Sequence, residues 1–285
     1  MVRHFMAKHS ILITNDDGID SPFLAALVRA LLQHDFDAHI VAPDGQRSWI
    51  SKAMTRTGSI DASRCPDERF GCPAWAVAGT PADCVNLALG HLVETPIRLV
   101  VSGINIGSNA GLPLILASGT VGGALEGALH GTHAVAASLR LLPDDFARVS
   151  EAAPDAPLPP NVAAALTAAA DHTAELCRRV AALPLSGDFL VHNLNFPPQT
   201  TAKTRLHRTI PAPLRAGPLF SRHSERRDGF GFAFNIGGEE PTGWRTDREC
   251  LEAGLASHSI LDYGNLGRLE CPAFGPVDSR PSPPA

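Results

Sequence analysis

In the first 140 residues, short apolar runs alternate with longer segments that carry helix signals, and few folds accept that order. SILIT (10–14), DAHIVAP (37–43), IRLVVSG (97–103) and HAVAAS (133–138) read as strands. SPFLAALVRALLQH (21–34), PADCVNLALGHL (81–92) and SGTVGGALEGALHG (118–131) read as helices. Ser21 is placed to cap the first helix, with Pro22 at the first helical position, where its missing N–H is not needed. Parallel strands need long crossover connections, usually helices, so the alternation predicts an open, doubly wound, mostly parallel α/β sheet.

The rest of the chain is less regular. Residues 48–80 read as a functional loop or insertion with a hairpin around 53–60, and the proline- and acid-rich 143–160 as an exposed linker. An Ala-rich helix (161–182) and the strand DFLVHNLNFP (188–197) follow. Beyond 198 the pattern degrades into pieces such as FGFAFNI (230–236), and PSPPA (281–285) reads as a disordered tail. The expected organisation is a catalytic core over 1–197 and a C-terminal subdomain or arm over 198–285 that packs on a neighbouring subunit.

A formal net charge of −5 disfavours general capture of nucleic-acid backbone, so no stable nucleic-acid partner is expected. No apolar stretch is long enough for a membrane span, and MVRHFMAKHS lacks the apolar centre of a signal peptide, so the expected setting is cytoplasmic, away from membranes. The six cysteines, at 65, 72, 84, 177, 250 and 271, show no repeated C-x-x-C pattern and read as reduced thiols; Cys65 and Cys72 could alternatively close a local disulfide or half a zinc site.

Ligands of open α/β sheets bind outside the carboxyl ends of the strands. Three predicted strands end there in polar clusters: Asn15, Asp16, Asp17 and Gly18; then Asp44, Gln46, Arg47 and Ser48; then Ser102, Asn105 and Asn109. Adjacent carboxylates repel each other and are costly near neutral pH unless a cation neutralises them. Asp16, Asp17, the Ser48 hydroxyl and the Asn105 amide oxygen make an oxygen-only donor set, which suits Mg²⁺ or Mn²⁺ and not zinc. Ser118, Gly119 and Thr120 open a predicted helix, where backbone N–H groups and hydroxyls can hold a phosphate. Carboxylates that bind a metal opposite a phosphate cradle are an arrangement for metal-assisted phosphoester hydrolysis.

The ordered set NDDG (15–18), VAPDGQRS (41–48), GTPADCV (79–85), SGINIGSNAG (102–111) and SGTVGGALEG (118–127) resembles the survival protein E (SurE) family of metal-dependent nucleotidases, with later echoes in LVHNLNFP (190–197) and TDRECLEAG (246–254). The resemblance implies a Rossmann-like core and one divalent ion on Asp16, Asp17, Ser48 and Asn105. It also implies phosphate near Asn109 and Ser118 to Thr120, hydrolysis of nucleoside monophosphates, and homodimers or homotetramers joined by C-terminal arms. In the expected mechanism metal-activated water attacks phosphorus, Asp16 helps to take its proton, and Asn109, Ser118 and Thr120 stabilise charge on the phosphoryl oxygens. Trp49 and Ala117 depart from the usual family pattern near the mouth of the site, as does SHSILDYG (257–264) near the end.

Blander readings stand beside these. Asp16 and Asp17 could form a solvated turn, Ser118 and Thr120 could only cap a helix, Arg47 could be a surface charge, and His130 and His133 read as helix-end residues. Trp49 reads equally as a loop anchor or as a stacking platform for a nucleobase. A haloacid-dehalogenase-type phosphatase needs an aspartate nucleophile at position 15, where this chain has asparagine; a nucleotide-binding module without hydrolysis is the rival from another class.

Overall fold

The computed structural model describes residues 8–153, 156–222, 228–233 and 235–266. Its strands are β1 (Ser10–Thr14), β2 (Asp37–Pro43), β3 (Ala62–Arg64), β4 (Ala74–Val77), β5 (Leu99–Ile106), β6 (His133–Leu139), β7 (Leu190–Phe196), β8 (Leu206–Thr209), β9 (Leu214–Ala216), β10 (Phe220–Arg222), β11 (Phe230–Phe232), β12 (Ile236–Glu239) and β13 (Ala256–Asp262). The helices are α1 (Pro22–Gln33), α2 (Pro81–Leu87), α3 (Leu112–Ala117), α4 (Gly119–Leu129), α5 (Pro143–Glu151), α6 (Pro160–Ala181) and α7 (Asp247–Glu252).

Nine strands form one sheet in the order β3-β4-β2-β1-β5-β6-β7-β13-β8. From β4 through β7 every neighbouring pair is parallel, while β3 and β13 add antiparallel partners. The chain runs outward from β1 to β2 and β4, then returns to lay β5 against the other edge of β1. This reversal makes the junction of β1 and β5 the switch point of the sheet, and their carboxyl ends flank a crevice that no crossover helix covers.

Burial on both faces explains why β1 is apolar throughout. Ile11 and Ile13 join a core with Phe23, Leu24, Leu27 and Leu31 of α1 and Leu166, Ala169 and Val180 of α6, whereas Leu12 joins the opposite core with Val85 of α2. At roughly 1.5–3 kcal/mol for each large apolar side chain removed from water, these two layers hold the carboxyl edge in place. Ser21 caps α1 through its hydroxyl, which accepts the Phe23 N–H at 3.2 Å, and Pro22 begins the helix as expected.

Several expectations need correction. The region expected as a linker forms α5 over Pro143–Glu151; Pro143 opens it, Asp144 and Asp145 suit its amino end, and Phe146 and Val149 give it an apolar side. No hairpin forms at 53–60; the hairpin of this region is β3 against β4, pairing Ala62 with Val77. FGFAFNI is not one strand, because β11 stops at Phe232 and β12 starts at Ile236. The sheet also continues past 197, since β13 and β8 lie beside β7. Between them, β9 pairs with β12 and β10 with β11, a two-stranded arm with Phe220 and Phe230 exposed. Cys65 is a buried thiol without a disulfide, and Cys271 and PSPPA lie outside the described residues. No helix among the described residues is long and apolar enough to cross a membrane.

Where β7 meets β13, His192 Nδ1 lies 2.9 Å from His258 Nε2, so one ring donates and the other accepts. Burial, helped by the nearby Arg208 charge, pushes His192 down to about 4; burial, then the neighbouring His192 ring and the Arg208 charge, push His258 down to about 3. Both rings are therefore neutral in the folded chain where the unfolded chain begins to protonate, so their contribution is complete above about pH 6.5 and is lost as pH falls toward 4, at about 1.4 kcal/mol per pH unit for each proton. Urea midpoints measured from pH 7 to pH 4.5 are expected to fall more steeply for the wild-type protein than for a chain carrying His192→Gln and His258→Gln. Parallel curves would remove the pair from the pH dependence.

Candidate active site

The apolar run of β1 ends in a turn that Asn15 closes with its own amide. Its Nδ2 donates to Gly18 O at 2.9 Å, and its Oδ1 accepts the Gly18 N–H at 3.2 Å. Gly18 has φ of 97°, and a Cβ there would meet Gly45 at 3.1 Å, so glycine lets the 15–18 turn lie against the loop after β2. The Arg47 N–H then donates to Asp16 O at 2.7 Å, which brings Ser48 beside the two aspartates.

Asp16 is buried against the start of α4. Thr120 donates its hydroxyl to Asp16 Oδ1 at 2.6 Å, and its N–H side also favours the charged carboxylate. Gly119 permits the approach, since a Cβ there would lie 2.9 Å from Asp16 Cβ. Asp17 Oδ2 accepts the Ile106 N–H at 3.1 Å, which joins β1 to β5 across the switch point. The pairing of β5 with β6 shifts between Ser102 and Asn105, where one extra residue re-aims the strand end. Gly103 within that bulge has φ of 139°, and a Cβ there would sit 2.4 Å from Ala137 O. Asn105 thus lies inside β5 near its end, although the sequence pattern stops the strand at 103.

Burial pushes both carboxyls above the usual carboxylate range, Asp17 further because charged Asp16 is its neighbour; the Thr120 and Ile106 hydrogen bonds oppose the shift. Among the described residues, neither carboxylate has a salt-bridge partner. No group of three His, Cys, Asp or Glu side chains able to hold a metal occurs among those residues either. Any cation here must therefore take its remaining ligands from neutral oxygens, and hard divalent ions accept such a set.

These groups open into one cavity of about 1120 Å³, larger than the roughly 300–1,000 Å³ of common ligand sites. Asp16, Asp17, Ser48, Asn105, Asn109 and Ser118 line its polar side; Trp49, Leu114, Ala117, Phe146, Val149 and Phe232 line an apolar side. Arg148 of α5 is the one Lys or Arg of the described wall. Gly119 and Thr120, expected to hold phosphate, are not on the wall; the Thr120 hydroxyl is committed to Asp16. Arg47 also points elsewhere, bonding Asp44 Oδ1 at 2.8 Å and Gly79 O at 3.2 Å. Ser118 caps α4 by accepting the Val121 N–H at 3.0 Å and still borders the cavity.

The loop that carries Asn109 is fixed by residues whose purpose is not visible in the sequence. Asn109 donates its backbone N–H to Asn195 Oδ1 at 2.7 Å, its carbonyl accepts Asn193 Nδ2 at 2.9 Å, and its Nδ2 donates to Ser138 Oγ at 3.0 Å. Two residues on, the Gly111 N–H donates to Asp247 Oδ2 at 2.9 Å, while Asp247 Oδ1 accepts from Ala212 at 2.9 Å and Arg248 at 2.8 Å. The echoes LVHNLNFP and TDRECLEAG contain these residues, and the only signal of their task is an amide or acid in an otherwise apolar or helix-capping setting.

A family model described as survival protein SurE matches residues 11–213 of the chain. The chain is 43 % identical over 162 residues to the 5'-nucleotidase SurE of Thermosynechococcus vestitus, covering 53 % of this chain and 60 % of that protein. It is 47 % identical over 129 residues to the protein of the same name from Moorella thermoacetica, covering 45 % and 49 %. The corresponding Desulfatibacillum aliphaticivorans protein is 49 % identical over 129 residues, covering 45 % and 50 %. The chain spans about half the length of the relatives it matches. In fold it is similar to the crystal structure of the SurE protein from Aquifex aeolicus, with a TM-score of 0.67 and 23 % identity over 90 % of this chain and 96 % of that one.

Asp247 gives a test that needs no ligand. Asp247→Ala leaves three backbone N–H groups without their acceptor, and the expected loss is about 2–4 kcal/mol of unfolding free energy, read from urea midpoints. Asp247→Asn, which keeps one acceptor oxygen, should lose less. An unchanged midpoint in the alanine protein would show that the loop does not depend on this anchor.

Proposed function

The chain belongs to the SurE family, and from that premise we propose that it is a divalent-metal-dependent phosphomonoesterase that hydrolyses nucleoside monophosphates to nucleoside and phosphate. One observation carries the reading: two adjacent carboxylates, Asp16 buried and Asp17 half-buried, without a salt bridge among the described residues, meet neutral oxygen donors at the switch point of a parallel sheet. Asp16, Asp17, Ser48 and Asn105 would hold one Mg²⁺ or Mn²⁺. That ion supplies Lewis-acid charge which lowers the pKa of water and draws electron density from a phosphoryl oxygen.

The side chains of the protein do the rest. Thr120 holds Asp16 Oδ1, and Asp16 helps to take the proton of the attacking water. Asn109, clamped by Asn193, Asn195 and Ser138, spends one Nδ2 hydrogen on Ser138 and offers the other, with the Ser118 hydroxyl, to phosphoryl oxygens. Arg148 places a cation on the wall that receives an anionic substrate. Water adds to phosphorus as the ester P–O bond breaks; one water proton passes to Asp16, and the leaving oxygen takes up a proton from solvent, to which Asp16 later returns its own, as the nucleoside departs. A covalent aspartyl route has no nucleophile at position 15, because both polar atoms of Asn15 are spent on closing its turn. Within the segment beyond 197, the β9–β12 and β10–β11 pairs are read as the arm through which a cytoplasmic homodimer or homotetramer forms, while β8, α7 and β13 are read as completing the catalytic core that 1–197 begins.

Phosphate release from a panel of mononucleotides with Mn²⁺ or Mg²⁺ tests the proposal. Activity should vanish with chelator and fall by at least about 100-fold in Asp17→Asn, the scale expected when a group that stabilises transition-state charge is lost. Binding of a mononucleotide without release under any divalent ion would make the protein a binding module instead.

A further inference from the structure

We propose that Lys52 and Glu126 are positioning residues of the candidate active site, an inference that rests on the nucleotidase reading above: their ion pair seats the 47–52 loop on α4 and so keeps Ser48 beside Asp16 and Asp17. The Glu126 side chain is only 5 % exposed, and its Oε2 lies 2.5 Å from Lys52 Nζ. Its Oε1 accepts from Asn86 Nδ2 at 3.0 Å and lies 3.1 Å from His130 Nε2. A buried carboxylate is costly unless it is paired and its remaining lone pairs are filled, and three side chains meet that condition here. Burial by itself would raise the Glu126 carboxyl, yet the bonds from Lys52 and Asn86 hold it below the usual carboxylate range, so the charge that grips Lys52 is kept at neutral pH. Lys52, Asn86, Glu126 and His130 do not line the cavity, so the cluster acts through the loop and not on a substrate.

The seat is one face of α4. Gly119, Gly122 and Glu126 follow one another at spacings of three and four, which places them along one side of the helix. A Cβ at Gly119 would lie 3.1 Å from Arg47 O, and one at Gly122 would lie 2.5 Å from Ser51 O and 3.0 Å from Lys52 Cα. The two glycines thus admit the loop backbone on either side of Ser48, and Glu126 takes the ammonium one turn further along. The start of the same helix holds Asp16 through the Thr120 hydroxyl, so one rigid element sets both the loop that carries Ser48 and the carboxylate it must meet. Among the described residues the Ser48 side chain has one hydrogen bond, accepted from Gln46 Nε2 at 3.1 Å within the same loop, so its place depends on how the loop is seated. Trp49 and Ser51 hold φ of 58° and 56°, left-handed values that persist only where the surroundings enforce them. Ser51 is fastened by neutral bonds, its hydroxyl to Leu116 O at 2.7 Å and its N–H to Ala117 O at 2.9 Å. Lys52 adds a charge-assisted bond, roughly twice as strong as a neutral one.

Calorimetric binding of Mn²⁺ to the metal-free protein, amide hydrogen exchange over residues 47–53 and phosphate release from adenosine monophosphate test the proposal on Lys52→Met, Lys52→Arg and Glu126→Gln. Lys52→Met and Glu126→Gln should each weaken Mn²⁺ binding about 10-fold, within the range lost when a group that orients a metal ligand is removed, and should speed exchange over 47–53 by a similar factor. Excess Mn²⁺ should restore most of kcat, which separates lost affinity from lost chemistry. Lys52→Arg, which keeps a charged donor, should retain most of the affinity and of the protection. The double variant Lys52→Met with Glu126→Gln should be hardly weaker than either single one, because both changes break the same bond. Lys52→Met carries the test where Glu126→Gln does not fold, since Lys52 is the more exposed end of the pair. Urea midpoints that fall while Mn²⁺ affinity and exchange over 47–53 keep their wild-type values would overturn the proposal, leave the pair a structural bond only and leave the nucleotidase reading standing. If the wild-type protein neither binds Mn²⁺ nor releases phosphate, the nucleotidase reading falls, and faster exchange over 47–53 in Lys52→Met still upholds the seating of the loop, whereas unchanged exchange overturns that as well.

Discussion

The active-site end of this structure is organised around a repulsion. Asp16 and Asp17 leave β1 side by side, the first buried and the second half-buried so that little water separates their charges, and no described cation pairs with either. Left alone, such a pair raises its pKa values and gives up charge. The surroundings instead resist neutralisation, because Thr120 donates to one carboxylate and the Ile106 N–H to the other. Two carboxylates kept ready for charge, with no positive partner among the described residues, are what the proposed divalent ion would complete.

The rest of the carboxyl edge follows from holding that pair. Gly119 lets α4 start against Asp16, Gly18 lets the β1 turn lie on the loop that brings Ser48, and Gly103 lets β5 bulge beside β6 so that Asn105 falls at the crevice. Behind these, the Asn193 and Asn195 amides and the Asp247 carboxylate fasten the 107–111 loop by its backbone. Buried amides and acids are expensive unless every bond is made, and here they pin a loop that elsewhere would be mobile. The C-terminal part therefore serves the site in two ways: β13 and β8 extend the sheet, and Asp247 ties the loop from the far side.

How much of this the sequence discloses depends on the range of the interaction. Elements set by local pattern are legible: α1 with its Ser21 cap, the buried strands β1, β2, β5 and β6, and the polar clusters that close three strands. Asp16, Asp17, Ser48, Asn105, Asn109 and Ser118, singled out in the sequence, line one cavity. Legibility fails where the deciding contact is remote or geometric. The end of β5 is hidden because a bulge at a left-handed glycine disguises a strand as a loop. The 143–160 stretch looks like a linker because its prolines and acids outnumber the few apolar residues that pack, yet Phe146, Arg148 and Val149 of α5 border the cavity. Thr120 looks like a phosphate ligand because a helix start suits any anion, and the anion that claims it is Asp16. Nothing near Asp247 announces a bond to Gly111, 136 positions away.

Thermal unfolding of the metal-free protein and of its Asp17→Asn variant, each with and without saturating Mn²⁺, tests the cation requirement most directly. At a concentration about 100 times the dissociation constant, binding to the folded state stabilises by about 2.7 kcal/mol, which for a chain of this size raises the midpoint by roughly 4–5 °C. The expected result is that rise in the wild-type protein, together with a metal-free midpoint for Asp17→Asn at or above the wild-type value and no rise when Mn²⁺ is added. A wild-type midpoint unmoved by Mn²⁺ and Mg²⁺, or an equal rise in Asp17→Asn, would contradict the claim that the paired carboxylates exist to hold a divalent ion.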